Sequence, residues 1–119
     1  MLNRYPYTNG HLLIAPYRHV GAFGRLTPAE WAEMLTMSRH LLAQLKRLLR
    51  AQGFNIGLNL GKVAGAGIPG HLHMHLVPRW NGDTNFMPVL ANTRVISQSL
   101  DAVYRLLTKG TFRRHAALK

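Results

Sequence analysis

"PGHLHMHLVPRW", residues 69–80, decides how this chain is read. His71, His73 and His75 fall at every second position, with Leu72, Met74 and Leu76 between them. Successive side chains of a β-strand point to opposite faces. The alternation therefore predicts a strand over 71–78, with the leucine and methionine side on a core and three imidazoles on the other side. Immediately before it, "GKVAGAGIPG" (61–70) holds four glycines and a proline and reads as a loop. "FNIGLNL" (54–60) reads as the preceding strand. Two strands joined by a ten-residue loop without a helix predict an antiparallel pair.

Working outward, "HLLIAPY" (11–17) is a short run of strand formers, introduced by Pro6 and Asn9-Gly10 and ended by Pro16. "GAFGRL" (21–26) is a loop. A long helix follows. Thr27 suits its N-cap, Pro28 its first position, and Glu30 completes a capping box. Trp31, Leu35, Leu41, Leu42, Leu45, Leu48 and Leu49 recur near the helical period and form a stripe expected to face a sheet, part of it free for a dimer seam. Lys46, Arg47 and Arg50 suit the C-terminal end of the dipole, and Gly53 is expected to end the helix. "WNGD" (80–83) marks a turn and "FMPVL" (86–90) reads as extended. A last helix is predicted from Ser97 or Ser99 to Lys109, with Leu100, Val103, Tyr104 and Leu107 on one face. The expected fold is α+β: an antiparallel sheet with helices on one face. One domain spans 1–110, and 111–119 form a basic tail.

The chain has 119 residues, 47% of them hydrophobic, and no cysteine. The composition excludes a disulfide scaffold and a thiolate metal site. Fifteen Lys and Arg against four Asp and Glu give a net charge of +11. Such a field attracts polyanions: nucleotides, nucleic acid or an anionic membrane surface. No apolar run reaches the length of a membrane span, and "MLNRYPYTNG" lacks the apolar core of a signal peptide. The expectation is a cytoplasmic protein that does not enter a membrane. The chain also lacks the recognition-helix or aromatic-platform pattern of a nucleic-acid-binding module, which ranks that class low.

The row of imidazoles admits three readings. Histidines can be structural, satisfied by backbone carbonyls. Alternating histidines can ligate a metal, with His11, His19 or Asp83 completing the set. They can also do phosphorus chemistry. A neutral imidazole is a nucleophile, and its ordinary pKa keeps it mostly neutral at pH 7. Neighbouring imidazoles disfavour each other's protonation, so a row can divide the work of attack, hydrogen-bond donation and orientation. A glycine loop brings backbone N–H groups close to phosphate oxygens.

"HLHMHLV" resembles the His-x-His-x-His signature, with x apolar, of the histidine triad (HIT) superfamily of nucleotide hydrolases and transferases. "NRYPYTNGHLLIAPYRH", "GFNIGLNLG" and "HLVPRWNGDTNFMPVL" resemble further segments of a bacterial and archaeal branch similar to diadenosine tetraphosphate phosphorylases and hydrolases. The resemblance covers about residues 2 to 108. It implies a HIT-like antiparallel sheet with a long helix and a C-terminal helix. It implies that His73 attacks the α-phosphate and forms a covalent nucleotidyl–imidazole, its other nitrogen oriented by a backbone carbonyl. His75 would contact the phosphate or its bridging oxygen, His71 would support the geometry, and His11 would pack against the triad. Asn3 matches a ribose contact and Asn59 a phosphate contact.

Two departures stand out. Many family members carry Gly-Gln-Ser or Gly-Gln-Thr just before the triad. This chain has Ala66-Gly67-Ile68 there, so nucleotide contacts at Gly67 and Ile68 are expected from backbone N–H groups. The chain also starts almost at the ribose-contacting strand and is expected to lack the usual N-terminal segment, leaving a sheet edge that favours a homodimer. The implied partner is a nucleotide or dinucleoside polyphosphate. The triad implies no resident metal and no required cofactor, with a divalent cation arriving on the polyphosphate. Nucleoside phosphoramidate hydrolysis is the alternative activity. Nucleotide binding with little turnover is the alternative class. A metal-dependent enzyme and a basic nucleic-acid module rank below these.

Overall fold

The computed structural model of the chain describes residues 1–68, 70–84, 90 and 96–115, with residues 110–115 described by their backbone alone. Three strands, β1 (Leu12–Ile14), β2 (Gly53–Leu58) and β3 (Met74–Arg79), form an antiparallel sheet in the order β1-β3-β2. Among the described residues, two α-helices, α1 (Pro28–Leu49) and α2 (Leu100–His115), join the sheet in an α+β architecture. Residues 86–89 of the segment expected to be extended lie outside the described residues.

The hairpin forms as its loop length requires. β2 runs antiparallel to β3, with Gly57 opposite His75 and Ile56 opposite Leu76. On the other side of β3, Leu13 pairs with His75 and Leu12 with Leu76. The N-terminal residues extend this side through a bridge between Leu2 and Leu12.

The strand carrying the histidines begins later than its alternation predicts, at Met74. The cause lies in β1. Pro16 has no N–H to give a ladder, and β1 stops at Ile14. Leu72 N–H instead donates to Val20 O at 2.7 Å, and His71 N–H closes a turn onto Ile68 O at 3.2 Å. The alternation of burial survives this change of partner. Leu72, Met74 and Leu76 are buried, while His71, His73 and His75 are partly exposed.

α1 begins as predicted. Thr27 accepts from Glu30 N–H, and the Glu30 carboxylate accepts from Thr27 N–H at 2.8 Å, a full capping box with Pro28 at the first position. Its end differs from expectation. Arg50 takes the left-handed conformation (φ 53°), and Gly53 opens β2 instead of closing the helix. The indole of Trp80 donates to Leu49 O at 3.2 Å, giving a terminal helix carbonyl a partner. The buried side of α1 runs through Met34, Ser38 and Leu45, with Trp31, Leu41 and Leu49 flanking it. Leu35, expected on this stripe, is exposed, because it lies about 100° round the helix from Met34. Similarly, Val103 of α2 is buried, whereas Tyr104 next to it is exposed. α2 continues to His115, past the expected end at Lys109 and into the tail.

The core under α1 holds Leu12, Ile14, Met34, Leu45, Leu72, Met74 and Leu76. Ser38 donates to Met34 O at 2.8 Å, so its buried hydroxyl is satisfied within the helix. The opposite side of β3, which carries His75, is left for chemistry. Among the described residues no helix is long and apolar enough to cross a membrane.

Gly10 joins this core to the site. Its φ is +75°, and a Cβ there would run into the Leu49 side chain. A left-handed conformation costs an L-residue about 1–2 kcal/mol. Gly10→Ala is therefore expected to lower the unfolding free energy by about that amount or more, read from urea denaturation.

Candidate active site

Four of the expected site residues meet at the exit of the glycine loop. His11 enters from the turn before β1, and its side chain is fully buried. His75 comes from β3, and His71 and His73 from the segment just ahead of it. Ring centroids lie 5.1 Å apart for His11 and His75, and 5.0 Å for His73 and His75.

Backbone groups set the tautomers. At His11, Nδ1 faces two donors: Tyr7 N–H at 3.1 Å and the Asn3 side-chain amide at 3.3 Å. Nδ1 must then be the bare nitrogen, and the proton sits on Nε2. That N–H donates to His75 Nδ1 at 2.9 Å. His75 consequently carries its own proton on Nε2. Among the described residues, that buried nitrogen has no hydrogen-bond partner. A buried donor left unmade costs free energy, so the position favours an incoming acceptor.

His73 is set the opposite way round. Its Nδ1 lies 3.0 Å from His71 O. A carbonyl only accepts, so Nδ1 holds the proton and Nε2 presents a lone pair. His71 in turn donates from Nε2 to Pro16 O at 2.8 Å. The Pro16 carbonyl thus holds His71, and the His71 carbonyl holds His73. Adjacent rings offer opposite functions on their Nε2 atoms: a lone pair on His73 and a donor on His75.

Electrostatics reinforce this. Burial, with a smaller contribution from the neighbouring His73, holds the His75 pKa below its ordinary value near 6.5. His75 stays neutral at pH 7, which the tautomer relay requires. Acids stand apart from the row. Asp83 forms an ion pair with Arg79 at 2.6 Å, and Glu30 pairs with Arg18 at 2.9 Å. Arg79 also donates to Asn55 Oδ1 at 2.7 Å, so it is engaged with the β2 and turn residues around it. Asp83, the acid considered for a metal set, is likewise held by Arg79, whose guanidinium keeps its carboxyl far below the usual carboxylate range. Among the described residues no cluster of three or more His, Asp or Glu is arranged to hold a metal ion.

The remaining expected residues are placed as follows. Asn3 spans the His11 turn, its amide reaching His11 and its Oδ1 accepting from Tyr5 N–H at 3.0 Å. Asn59 donates to Gly65 O at 3.3 Å and so ties the glycine loop to the end of β2. Gly67 and Ile68 are exposed on that loop, and Ile68 supplies the carbonyl that turns the chain into His71.

Two neighbours lie outside the regular spacing: Tyr7, and His19, which the sequence offers only for a metal set. The Tyr7 ring stacks on His11, with centroids 4.9 Å apart and planes 22° apart. His19 lies 4.9 Å from the His71 ring and close to Gly70. Both contacts depend on how β1 and its flanking turns cross the histidine segment, which no local spacing reveals.

This sheet, with one long helix behind it and a row of imidazoles in front, defines an α+β histidine-triad architecture. It superposes on the crystal structure of a zinc-bound histidine triad family protein from Mycobacterium smegmatis with a TM-score of 0.75 and 30% identity, over 98% of this chain and 78% of that one. A hypothetical histidine triad nucleotide-binding protein from Sulfolobus tokodaii matches with a TM-score of 0.69 and 26% identity, over 88% of this chain and 69% of that one. The HIT domain model matches residues 1–82, and the chain belongs to the HIT family. An AP-4-A phosphorylase of Mycobacterium tuberculosis is 45% identical over 107 residues, 90% of this chain and 55% of that protein. An asymmetrical bis(5′-nucleosyl)-tetraphosphatase of Schizosaccharomyces pombe is 34% identical, over 69% of this chain and 44% of that protein. The chain spans about half the length of these curated relatives.

The lowered His75 pKa has a consequence for folding. Between the folded value and the ordinary value near 6.5, the unfolded chain binds more protons than the folded one. Stability from keeping His75 neutral is therefore full above that ordinary value and declines as pH falls below it. Urea midpoints measured from pH 7.5 down to 5 are expected to fall, and His75→Gln is expected to flatten part of that slope.

Proposed function

We propose that the chain cleaves the α-phosphate bond of a dinucleoside polyphosphate in two steps through a nucleotidyl–His73 intermediate. The observation that carries this reading is the backbone-held tautomer of His73, which leaves its Nε2 lone pair available beside a donor on His75. In the first step His73 Nε2 bonds to the α-phosphorus, and the bond to the bridging oxygen breaks. The departing polyphosphate takes the electron pair of that bond. Its oxygen is weakly basic at pH 7, so a hydrogen bond from His75 Nε2–H can stabilise it without full proton transfer. Because that nitrogen is screened from water in the free chain, substrate entry must displace its cover. In the second step water or inorganic phosphate attacks the phosphorus, the P–N bond breaks with its electron pair returning to His73 Nε2, and an attacking water gives its proton to solvent.

The relatives named for work on diadenosine tetraphosphate support this substrate class. The net charge of +11 favours polyanionic substrates in general. In this reading a divalent cation travels with the phosphates, Asn3 meets the ribose, Asn59 meets a phosphate, and Gly67 and Ile68 contribute backbone N–H groups. Phosphoramidate hydrolysis makes a different demand on the same site. An amine leaving group must gain a full proton, which His75 with its lowered pKa is poorly suited to replenish by becoming cationic. That contrast favours the anhydride.

The decisive experiment is rapid acid-free quenching of the protein with diadenosine tetraphosphate, followed by mass spectrometry. An adenylate is expected on the peptide holding residues 71–75, and it should be absent from His73→Ala. Turnover of His73→Ala should fall by about 10³-fold or more. Near-full activity in that variant would sink the mechanism. His75→Ala is expected to slow turnover by about 10²-fold while the adenylate still forms.

A further inference from the structure

We propose that Tyr7 is a positioning residue, whose ring plates the His11–His75 pair and keeps water out of the hydrogen bond that fixes the His75 tautomer. The role rests on the function proposed above, in which His75 Nε2–H faces the departing phosphate. Tyr7 serves the pair twice. Its backbone N–H donates to His11 Nδ1 at 3.1 Å and so sends the His11 proton to Nε2. Its ring lies nearly parallel to both imidazoles, 4.9 Å from His11 at 22° and 5.9 Å from His75 at 24°. One face of the phenol therefore covers two imidazoles at once, while the side chain as a whole remains 46% exposed.

The physical argument concerns competition with water. The His11–His75 hydrogen bond joins two neutral rings at 2.9 Å and has no charge to strengthen it. Such a bond is worth most where water cannot replace either partner. Water reaching the pair would also solvate an imidazolium and make protonation of His75 easier. A protonated His75 would carry hydrogens on both nitrogens, and its Nδ1 could no longer accept from His11. The relay would break at its middle. An aromatic ring is suited to prevent this. It is flat, wide and rigid, and it stacks on imidazole faces without competing for their in-plane nitrogens.

The groups that face His75 define what else could set its protonation. Among the described residues they include His73 from the segment leading into its own strand, His11 from the turn before β1, and Tyr7 from the N-terminal segment. Its cross-strand neighbours, Leu13 on β1 and Gly57 on β2, bring no titratable group. Tyr7 thus covers a pair whose ring and cross-strand neighbours among the described residues are histidines or uncharged residues.

NMR titration of the His75 ring tests the role without substrate. It stays informative even if nucleotide cleavage fails to appear, so a failure of this inference and a failure of the proposed function are distinguishable. Tyr7→Phe keeps the ring and should leave the His75 titration midpoint unchanged. Tyr7→Ala should raise that midpoint by about half a pH unit or more, because it hydrates the pair. Tyr7→Gln, which retains bulk but admits water, should do the same and serves if the alanine variant does not fold. With diadenosine tetraphosphate, the acid limb of the rate profile should move by a similar amount in the alanine or glutamine variant, and Tyr7→Phe should restore it. An unchanged His75 midpoint in a folded Tyr7→Ala or Tyr7→Gln protein overturns the inference. So does a shift of equal size in Tyr7→Phe, which would assign the effect to the hydroxyl.

Discussion

β3 cannot slip. It is the middle strand, paired with β1 through Leu12, Leu13 and Ile14 and with β2 along its whole length. A shift of one residue would turn Leu76 and Met74 outward and push His75 under α1. The core depends on Leu76, which is fully buried, and on Met74, which meets Ser38 of the helix. The same alternation that fills the core places His75 on the opposite side. Packing and chemistry are therefore enforced by one constraint, and a substitution that loosens the leucine side also loosens the site.

The site itself is organised by main-chain atoms. Pro16 O holds His71, His71 O holds His73, and Tyr7 N–H holds His11. Each of these atoms belongs to a turn or a strand end beside the sheet. The tautomers consequently report on backbone placement. Gly10 matters for this reason: its left-handed φ brings the chain round from Asn9 into His11, with Leu45 and Leu49 packed close against the turn. The framework sets the chemistry through carbonyls and amides that no side-chain substitution removes directly.

Much of the fold could be read from local pattern. The alternation at 71–76, the capping box at Thr27 and Glu30, and the ten-residue hairpin loop each carry their own geometry. What escaped reading depended on distant partners. The start of β3 was set by Pro16 ending β1, and the end of α1 by Gly53 being needed in β2. No local spacing marks Arg79 as the partner of Asp83, which lies 2.6 Å from it across a tight turn. Leu35 and Tyr104 look like core residues by type, but each sits beside the truly buried position and rotates away from it. The roles of His73 and His75 came from resemblance. The hydrogen bonds that make those rings chemically distinct come from His71 O for His73 and, for His75, from His11, which arrives beside it from the turn before β1.

Orienting an imidazole with a carbonyl has a cost and a benefit that a carboxylate would reverse. A buried carboxylate stabilises an imidazolium and makes its ring a stronger base. It also places a negative charge where the proposed polyanionic substrate would dock. Here the orienting groups are dipoles without net charge, and two of the chain's four acids, Glu30 and Asp83, are tied to arginines away from the row. Under the proposed function, the entrance then carries no acid from these two pairs to repel a highly charged anion. A nucleophile for a polyanion would, under that proposed function, be held in place by parts of the protein that do not repel it.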